Sequence, residues 1–306
     1  MRKELKSESR YLNEVSDFFF IGKGKMLRPI LTLLCGEENN KYDLLIASAA
    51  FEILHMASLV HDDIIDQSKI RRSNKTINEK YSICEALLLG DFYYIKAIDL
   101  FSRINKPIMK YVINTIVKLI EGEMDERDYL FDFSIDESKY LNMIYKKTGS
   151  LISACCTVGA IIGDQNDKKV YKYKKYGEYL GIAYQLRDDL YDYSENIQVI
   201  GKDIGQDLKN GIITLPIIHL FQGDYLKESE KKTFKNLIKE GMLDEDVLKS
   251  LKLKMLETGS FEYTKEKILF YGNSAYSELE ELEDCEYIKE LKAITKYIIK
   301  NNDVYK

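Results

Sequence analysis

Three prolines, Pro29, Pro107 and Pro216, are all that this chain of 306 residues contains. A proline inside a helix costs ~3 kcal/mol, so their scarcity leaves long stretches in which helices can run unbroken. An all-α fold is expected. Hydrophobic residues make up 45% and charged residues 31%, the balance of a globular chain and not of a disordered one. With 45 Lys+Arg against 50 Asp+Glu the formal net charge is −5, which supplies no attractive field for nucleic acid.

The five cysteines (Cys35, Cys84, Cys155, Cys156, Cys285) have no paired spacing and read as buried thiols in a reducing compartment. The opening MRKELKSESRYLNE has no apolar segment behind its charges, unlike a secretory signal. No run approaches the ~18 apolar residues of a membrane-crossing helix. A cytoplasmic chain without a transmembrane segment is expected.

Residues 42–60 are apolar on most faces, with Glu52 and His55 the strongly polar exceptions after the first turn. That marks a central helix packed on several sides, and it runs on through HDDIID. Further helices are predicted over 80–103, 108–130, 137–162 and 168–193. In the second of these, Val112, Ile113, Ile116, Ile120 and Met124 recur at near-helical spacing, as on the apolar face of an amphipathic helix. Residues 194–213 hold three glycines and no helical period, so a long loop is predicted there, of the kind that usually works as a lid or a binding loop. A helix then starts near Thr214. In the Lys- and Glu-rich remainder, apolar positions such as Leu279, Leu282, Tyr287, Ile288, Leu291, Ile294 and Ile298 recur as in amphipathic helices. With no repeat and no linker, residues 1–306 read as one helical domain.

The chemistry concentrates in HDDIID (Asp62, Asp63, Asp66) and RDDLYD (Asp188, Asp189, Asp192). Each places carboxylates at i, i+1 and i+4, so the first and last share a helix face, where like charges repel. A single cluster is as readily a solvated surface. Both, however, are flanked by core-type residues (Leu59, Val60, Ile64, Ile65; Leu186, Leu190, Tyr191), and charge among such residues needs positive partners. Two clusters of identical spacing suggest two helices facing each other across one cavity. Carboxylates without cysteine or histidine select hard cations, above all Mg²⁺, which keeps positions for phosphate oxygens. Lys25, Arg28, Arg71, Arg72, Lys147 and Lys202 lie near the clusters or in Gly-rich segments. Any one of them is more simply a surface charge, but the Arg71–Arg72 pair fits bidentate phosphate recognition. His55, two helical turns before Asp62, fits a phosphate contact as well as it fits a hydrogen-bonded core histidine.

The order FEILHMASLVHDDIID, RR, GDFYY, EGE, KKTGSL, YQLRDDLYD, GKDIGQDLKNGIITLP resembles the trans-isoprenyl (polyprenyl) diphosphate synthases from about Gly24 to Pro216. Around the first motif the wording is most similar to catalytic subunits of medium- and long-chain, hexaprenyl- and heptaprenyl-type enzymes. The resemblance implies an all-α bundle around a deep central cavity, usually a homodimer, using three Mg²⁺. A heterodimer with a small subunit is also compatible with the sequence. By position, Asp62, Asp66 and Asp188 would bind Mg²⁺ on the allylic diphosphate, supported by Asp63, Asp189 and Asp192. Arg71, Lys147 and Lys202 would grip that diphosphate, while Lys25, Arg28, His55 and Arg72 would hold isopentenyl diphosphate. Thr148 and Gln185 match residues lining the reacting carbons. Leu54, Ala57 and Ser58 are the expected floor region; short-chain members carry a bulky aromatic at one of the positions of Ala57 and Ser58, and both are small here. Phe92, Tyr93 and Tyr94 are further floor candidates.

Some positions depart from the pattern. The family's GGKRxRP appears as KGKMLRP over residues 23–29, losing a glycine and an arginine. Its RRGxPT appears as Arg71-Arg72-Ser73-Asn74-Lys75-Thr76. The glutamine expected after EGE is Glu126, and Ile212 stands where many members carry a lysine. A class I terpene cyclase is disfavoured by the intact second DDxxD, and a non-catalytic subunit by the presence of both motifs.

Overall fold

The computed structural model describes residues 1–20, 24–37, 39–71, 74–193 and 205–300. Helices account for almost all of its regular structure: α1 (Arg10–Phe19), α2 (Leu27–Gly36), α3 (Lys41–Ile65), α4 (Ile77–Lys80), α5 (Ile83–Ser102), α6 (Met109–Asp128), α7 (Glu137–Ile144), α8 (Ser150–Ile162) and α9 (Asp167–Tyr191), followed by Gln206–Lys209, Leu215–Gln222, Glu228–Lys239, Glu245–Glu257, Ser260–Glu280 and Glu286–Lys300. The one sheet among the described residues is a two-residue antiparallel ribbon, Ile70 opposite Lys75 and Arg71 opposite Asn74. The all-α expectation holds. The chain forms two compact units, residues 1–114 with 154–173, and residues 115–153 with 174–306.

In the first unit α3 is the central element. Phe51, Ile53, Leu54 and Ala57 are 0% exposed, and Glu52 and Met56 on the remaining side only 6%. That all-round cover comes from α2, α4 and α5. Phe51 meets Phe101 of α5 edge to face, ring centroids 4.7 Å apart, an aromatic pair worth ~1 kcal/mol beyond its buried area. The buried Tyr93 hydroxyl and Ser16 Oγ, 2.9 Å apart, tie α5 to α1. By length and composition alone α3 is long and apolar enough to cross a membrane, which corrects the expectation that no run is apolar enough. Glu52 is the one charged residue between Asp43 and Asp62, and the interruptions at Ser48, His55 and Ser58 hide the run without lowering its mean hydropathy much. In its most apolar stretch 61% is buried, as in a core helix. Cys35, Cys155 and Cys156 are buried thiols; Cys84 is exposed and Cys285 half-buried.

In the second unit α7 leads into a π-helical turn, Tyr145–Gly149, before α8 begins. Ser150 N–H bonds the Tyr145 carbonyl five residues back. The helix predicted as continuous over 137–162 is therefore interrupted by a wide turn, a form that recurs at functional sites. Tyr140, Leu186, Leu190, Leu215 and Phe261 form the middle of this unit's core.

Other boundaries also differ from expectation. The 80–103 helix is two, because Ser82 accepts from Cys84 N and starts α5 afresh. On α6 the sequence points to the wrong face. Val112 is buried and Ile116 half-buried, but Ile113, Ile120 and Met124 are 51%, 56% and 63% exposed. The buried side runs through Val112, Thr115, Leu119, Gly122 and Glu126. Two polar residues and a glycine occupy it, so counting apolar positions selects the other side. Of the predicted loop 194–213, residues 194–204 lie outside the described residues, and Gln206–Lys209 is a short helix. The helix expected near Thr214 begins at Leu215, with Pro216 in its first turn, where a proline's missing N–H costs nothing. Leu279, Ile288, Leu291 and Ile298 are buried, as expected for the closing helices.

Candidate active site

The first Asp cluster ends α3. Asp62 is half-buried, Asp63 2% exposed and Asp66, the C-cap, exposed. Asp63 Oδ1 accepts from Arg71 Nε at 2.8 Å. The ribbon that follows the helix brings Arg71 back to it. Asn78 Nδ2 donates to the Asp63 carbonyl at 3.3 Å and the Ser68 carbonyl at 3.0 Å, fixing the return. Held through Nε, Arg71 keeps its two terminal amino groups for an anion, the fork that suits phosphate. Its neighbour Arg72 lies outside the described residues.

On the same helix His55 is half-buried, Leu54 and Ala57 are 0% exposed, and Ser58 Oγ donates to the His55 carbonyl at 2.9 Å. Tyr93, one of the floor candidates, has its hydroxyl engaged with Ser16, and Tyr94 lies beside the His61 ring at 5.6 Å. Lys25 is exposed, and Met26 behind it takes a left-handed conformation, φ 54°, at the start of α2. Arg28, half-buried in the first turn of α2, lies close enough to Cys155 to act on its thiol, whose protonated form burial strongly favours.

The second cluster ends α9 and is divided the other way, with two carboxylates buried and one exposed. Asp188 is exposed, whereas Asp189 and Asp192 are 5% and 8% exposed. Asp189 accepts from the Tyr140 hydroxyl and, at 2.7 Å, from Gln185 Nε2. Burial pushes the Asp189 carboxyl well above the usual range, the Asp207 charge adds to this, and the two hydrogen bonds oppose it. Asp192 caps the helix Gln206–Lys209: its Oδ1 and Oδ2 accept from Gln206 N and Asp207 N, both at 3.1 Å, and its carbonyl accepts from Gly205 N at 2.8 Å. Gln185 Oε1 accepts from Thr148 Oγ1 at 2.6 Å, so Thr148, Gln185, Asp189 and Tyr140 form one hydrogen-bonded chain. Each of the first two still has an oxygen lone pair to offer an electron-poor carbon.

Thr148 and Lys147 sit on the π turn. Lys147 Nζ meets Glu123 Oε2 at 2.9 Å and Glu126 Oε1 more closely still. Lys146 meets Asp125 Oδ2 at 2.8 Å and Glu121 Oε2 at 3.5 Å. Lys202 lies outside the described residues. Among the described residues no three His, Cys, Asp or Glu side chains are gathered around one point where an ion would sit. A cavity of about 230 Å³ in the second unit, lined by Glu137, Leu215, His219, Tyr225 and Tyr263 among others, includes none of the residues the sequence singles out. Sequence reasoning missed Tyr140, Asn78 and Glu123: each partner is fourteen or more residues away or reached through a turn, beyond any helical spacing.

The family model of polyprenyl synthetases matches residues 9–255. The chain belongs to the polyprenyl synthetase family. It is therefore an enzyme of the trans-prenyl diphosphate synthase class, whose members extend an allylic diphosphate with isopentenyl diphosphate. It is 31% identical over 305 residues to a geranylgeranyl diphosphate synthase of Methanosarcina mazei, covering 97% of this chain and 90% of the relative. To the heptaprenyl diphosphate synthase component 2 of Bacillus subtilis it is 29% identical over 302 residues, with 97% and 85% covered. The crystal structure of a decaprenyl diphosphate synthase from Rhodobacter capsulatus superposes with a TM-score of 0.91 at 28% identity, covering 100% of this chain and 94% of the other.

Proposed function

We propose that this polyprenyl synthetase carries its product beyond geranylgeranyl diphosphate, with Asp62, Asp66 and Asp188 as the carboxylates for magnesium. These three are the exposed or half-buried members of the two clusters, and hard oxygen donors without cysteine suit that ion. Magnesium bound there supplies positive charge against the diphosphate that departs. Arg71 and Lys147 hold the oxygens of the allylic diphosphate, and Lys25, Arg28 and His55 those of isopentenyl diphosphate; Arg72 and Lys202 join them by resemblance. The allylic C–O bond breaks with its electron pair leaving on pyrophosphate. Thr148 and Gln185 oxygens face the electron-poor carbon, the isopentenyl double bond attacks it to form the new C–C bond, and a proton leaves to pyrophosphate. Holding both substrates in line lowers the barrier further.

Ala57 carries the chain-length reading. It is fully buried and lies about one turn before Asp62, on the side toward which helical side chains lean. Purified chain given Mg²⁺, labelled isopentenyl diphosphate and farnesyl diphosphate is expected to yield products longer than geranylgeranyl. Products that stop there would overturn the assignment. No incorporation would favour a catalytic half that needs a partner, in keeping with the component 2 name of the Bacillus subtilis relative. Cyclic hydrocarbon formed without isopentenyl diphosphate would favour a cyclase. Ala57→Phe is expected to shorten the longest product by at least one isoprene unit, measured by chromatography of the dephosphorylated ladder; an unchanged ladder would place the floor elsewhere.

We read the enzyme as a homodimer that uses α6. Ile113, Val117, Ile120 and Met124 are 47% to 63% exposed and follow each other at helical spacing, an apolar stripe of the kind that marks a contact surface. Ile120→Glu is expected to shift the sedimenting species from dimer to monomer with the helix content unchanged. A wild-type chain that sediments as a monomer would refute this.

A further inference from the structure

We propose that Glu126 sets how tightly Lys147 holds a diphosphate, weakening the grip so that pyrophosphate can leave. This inference rests on Lys147 gripping the allylic diphosphate, as read above. The geometry is specific. Gly122 of α6 lies so close to the π turn that a Cβ there would be 2.6 Å from Lys147 N. That approach sets the next turn of α6 directly over the Lys147 side chain. Glu123 Oε2 then takes the ammonium at 2.9 Å, and Glu126 Oε1 takes it more closely still. Glu126 is 9% exposed, so solvent screens its charge little.

An ammonium has three N–H donors and no more. Two carboxylates stand against it here, and both place negative charge beside any phosphate oxygen the ammonium takes. Glutamine is the residue that the resemblance leads one to expect where Glu126 stands. Glutamine would keep the oxygen acceptor and the volume while removing the charge. A unit charge at such range in a protein of effective dielectric ~20 changes the binding of a polyanion by about tenfold or more. The same charge acts on the substrate's diphosphate and on the pyrophosphate released, so it speeds product departure while loosening substrate capture. Glu126 touches Lys147 and is a positioning residue, since it acts on the reaction through that side chain.

The test is steady-state kinetics of the magnesium-loaded enzyme with inorganic pyrophosphate as the inhibitor. Glu126→Gln is expected to lower the allylic-diphosphate KM and the pyrophosphate inhibition constant together, each about tenfold, and to leave the isopentenyl-diphosphate KM within about twofold. Glu123→Gln, which removes the second charge from the same ammonium, is expected to move both constants in the same direction and serves should Glu126→Gln not fold. In a Lys147→Met background the effect of Glu126→Gln is expected to vanish, the coupling that a shared contact predicts. Unchanged or raised constants in both glutamine variants overturn the proposal. If Lys147→Met raises the allylic KM while the glutamine variants do nothing, only this inference falls. If Lys147→Met leaves that KM unchanged, the assignment of Lys147 falls and this inference with it.

Discussion

Asp188→Asn is expected to lower turnover by about a thousandfold, the scale for removing one charge aimed at a developing negative charge, with the thermal midpoint moved by less than about 2 °C. The asymmetry follows from how the second cluster is built. Asp188 is exposed, and no fold-holding hydrogen bond of its carboxylate is seen among the described residues. Asp192→Asn tests the contrast. Its two carboxylate oxygens accept from two backbone N–H groups at the start of Gln206–Lys209, and an amide would turn its N–H₂ toward one of them, so that change is expected to cost about 1 kcal/mol of stability, the scale of an unmade hydrogen bond. Turnover and thermal unfolding of both variants decide the matter. An Asp188→Asn enzyme within tenfold of wild type would remove Asp188 from the chemistry.

Gly181→Ala is expected to cost about 1–3 kcal/mol of stability for forced overpacking, and to slow turnover with it. A Cβ at position 181 would stand 2.5 Å from Gly149 Cα and 3.3 Å from Gly149 N. These are backbone atoms, so no side chain can swing aside. The backbone that must retreat belongs to the π turn carrying Lys147 and Thr148. Thr148 would then lose its 2.6 Å bond to Gln185, one turn from Gly181 on α9. A Tm lowered by roughly 5–10 °C in calorimetry and a kcat lowered beyond about tenfold are the joint expectation. Wild-type stability would mean that α9 can slide.

The parts of this protein that declare themselves in the sequence are those governed by local spacing. Few prolines, a helix apolar all round and two DDxxD clusters at helix ends all follow from i, i+3 and i+4 arithmetic. The partners that orient the clusters do not. Arg71 reaches Asp63 because a two-residue ribbon turns the chain back, and Tyr140 reaches Asp189 from 49 residues away. The buried face of α6 is illegible for a different reason. Its packing against the π turn needs a glycine for close approach, and its acids serve the lysines, so Gly122, Glu123 and Glu126 outrank Ile113 and Ile120 for the inner positions. The π turn itself has no composition of its own: YKKTG would serve as well in an ordinary helix.

That turn gives this stretch of chain an odd relation to length. A wide turn holds one residue more than the α-helical ladder around it, and each residue advances a helix by about 100°. Dropping a single residue between Tyr145 and Gly149 would let an unbroken α-helix form, with better hydrogen bonds than the native one, yet point every side chain on one flank of the deletion about 100° away. The number of residues in this stretch is therefore held as firmly as the identities of Lys147 and Thr148.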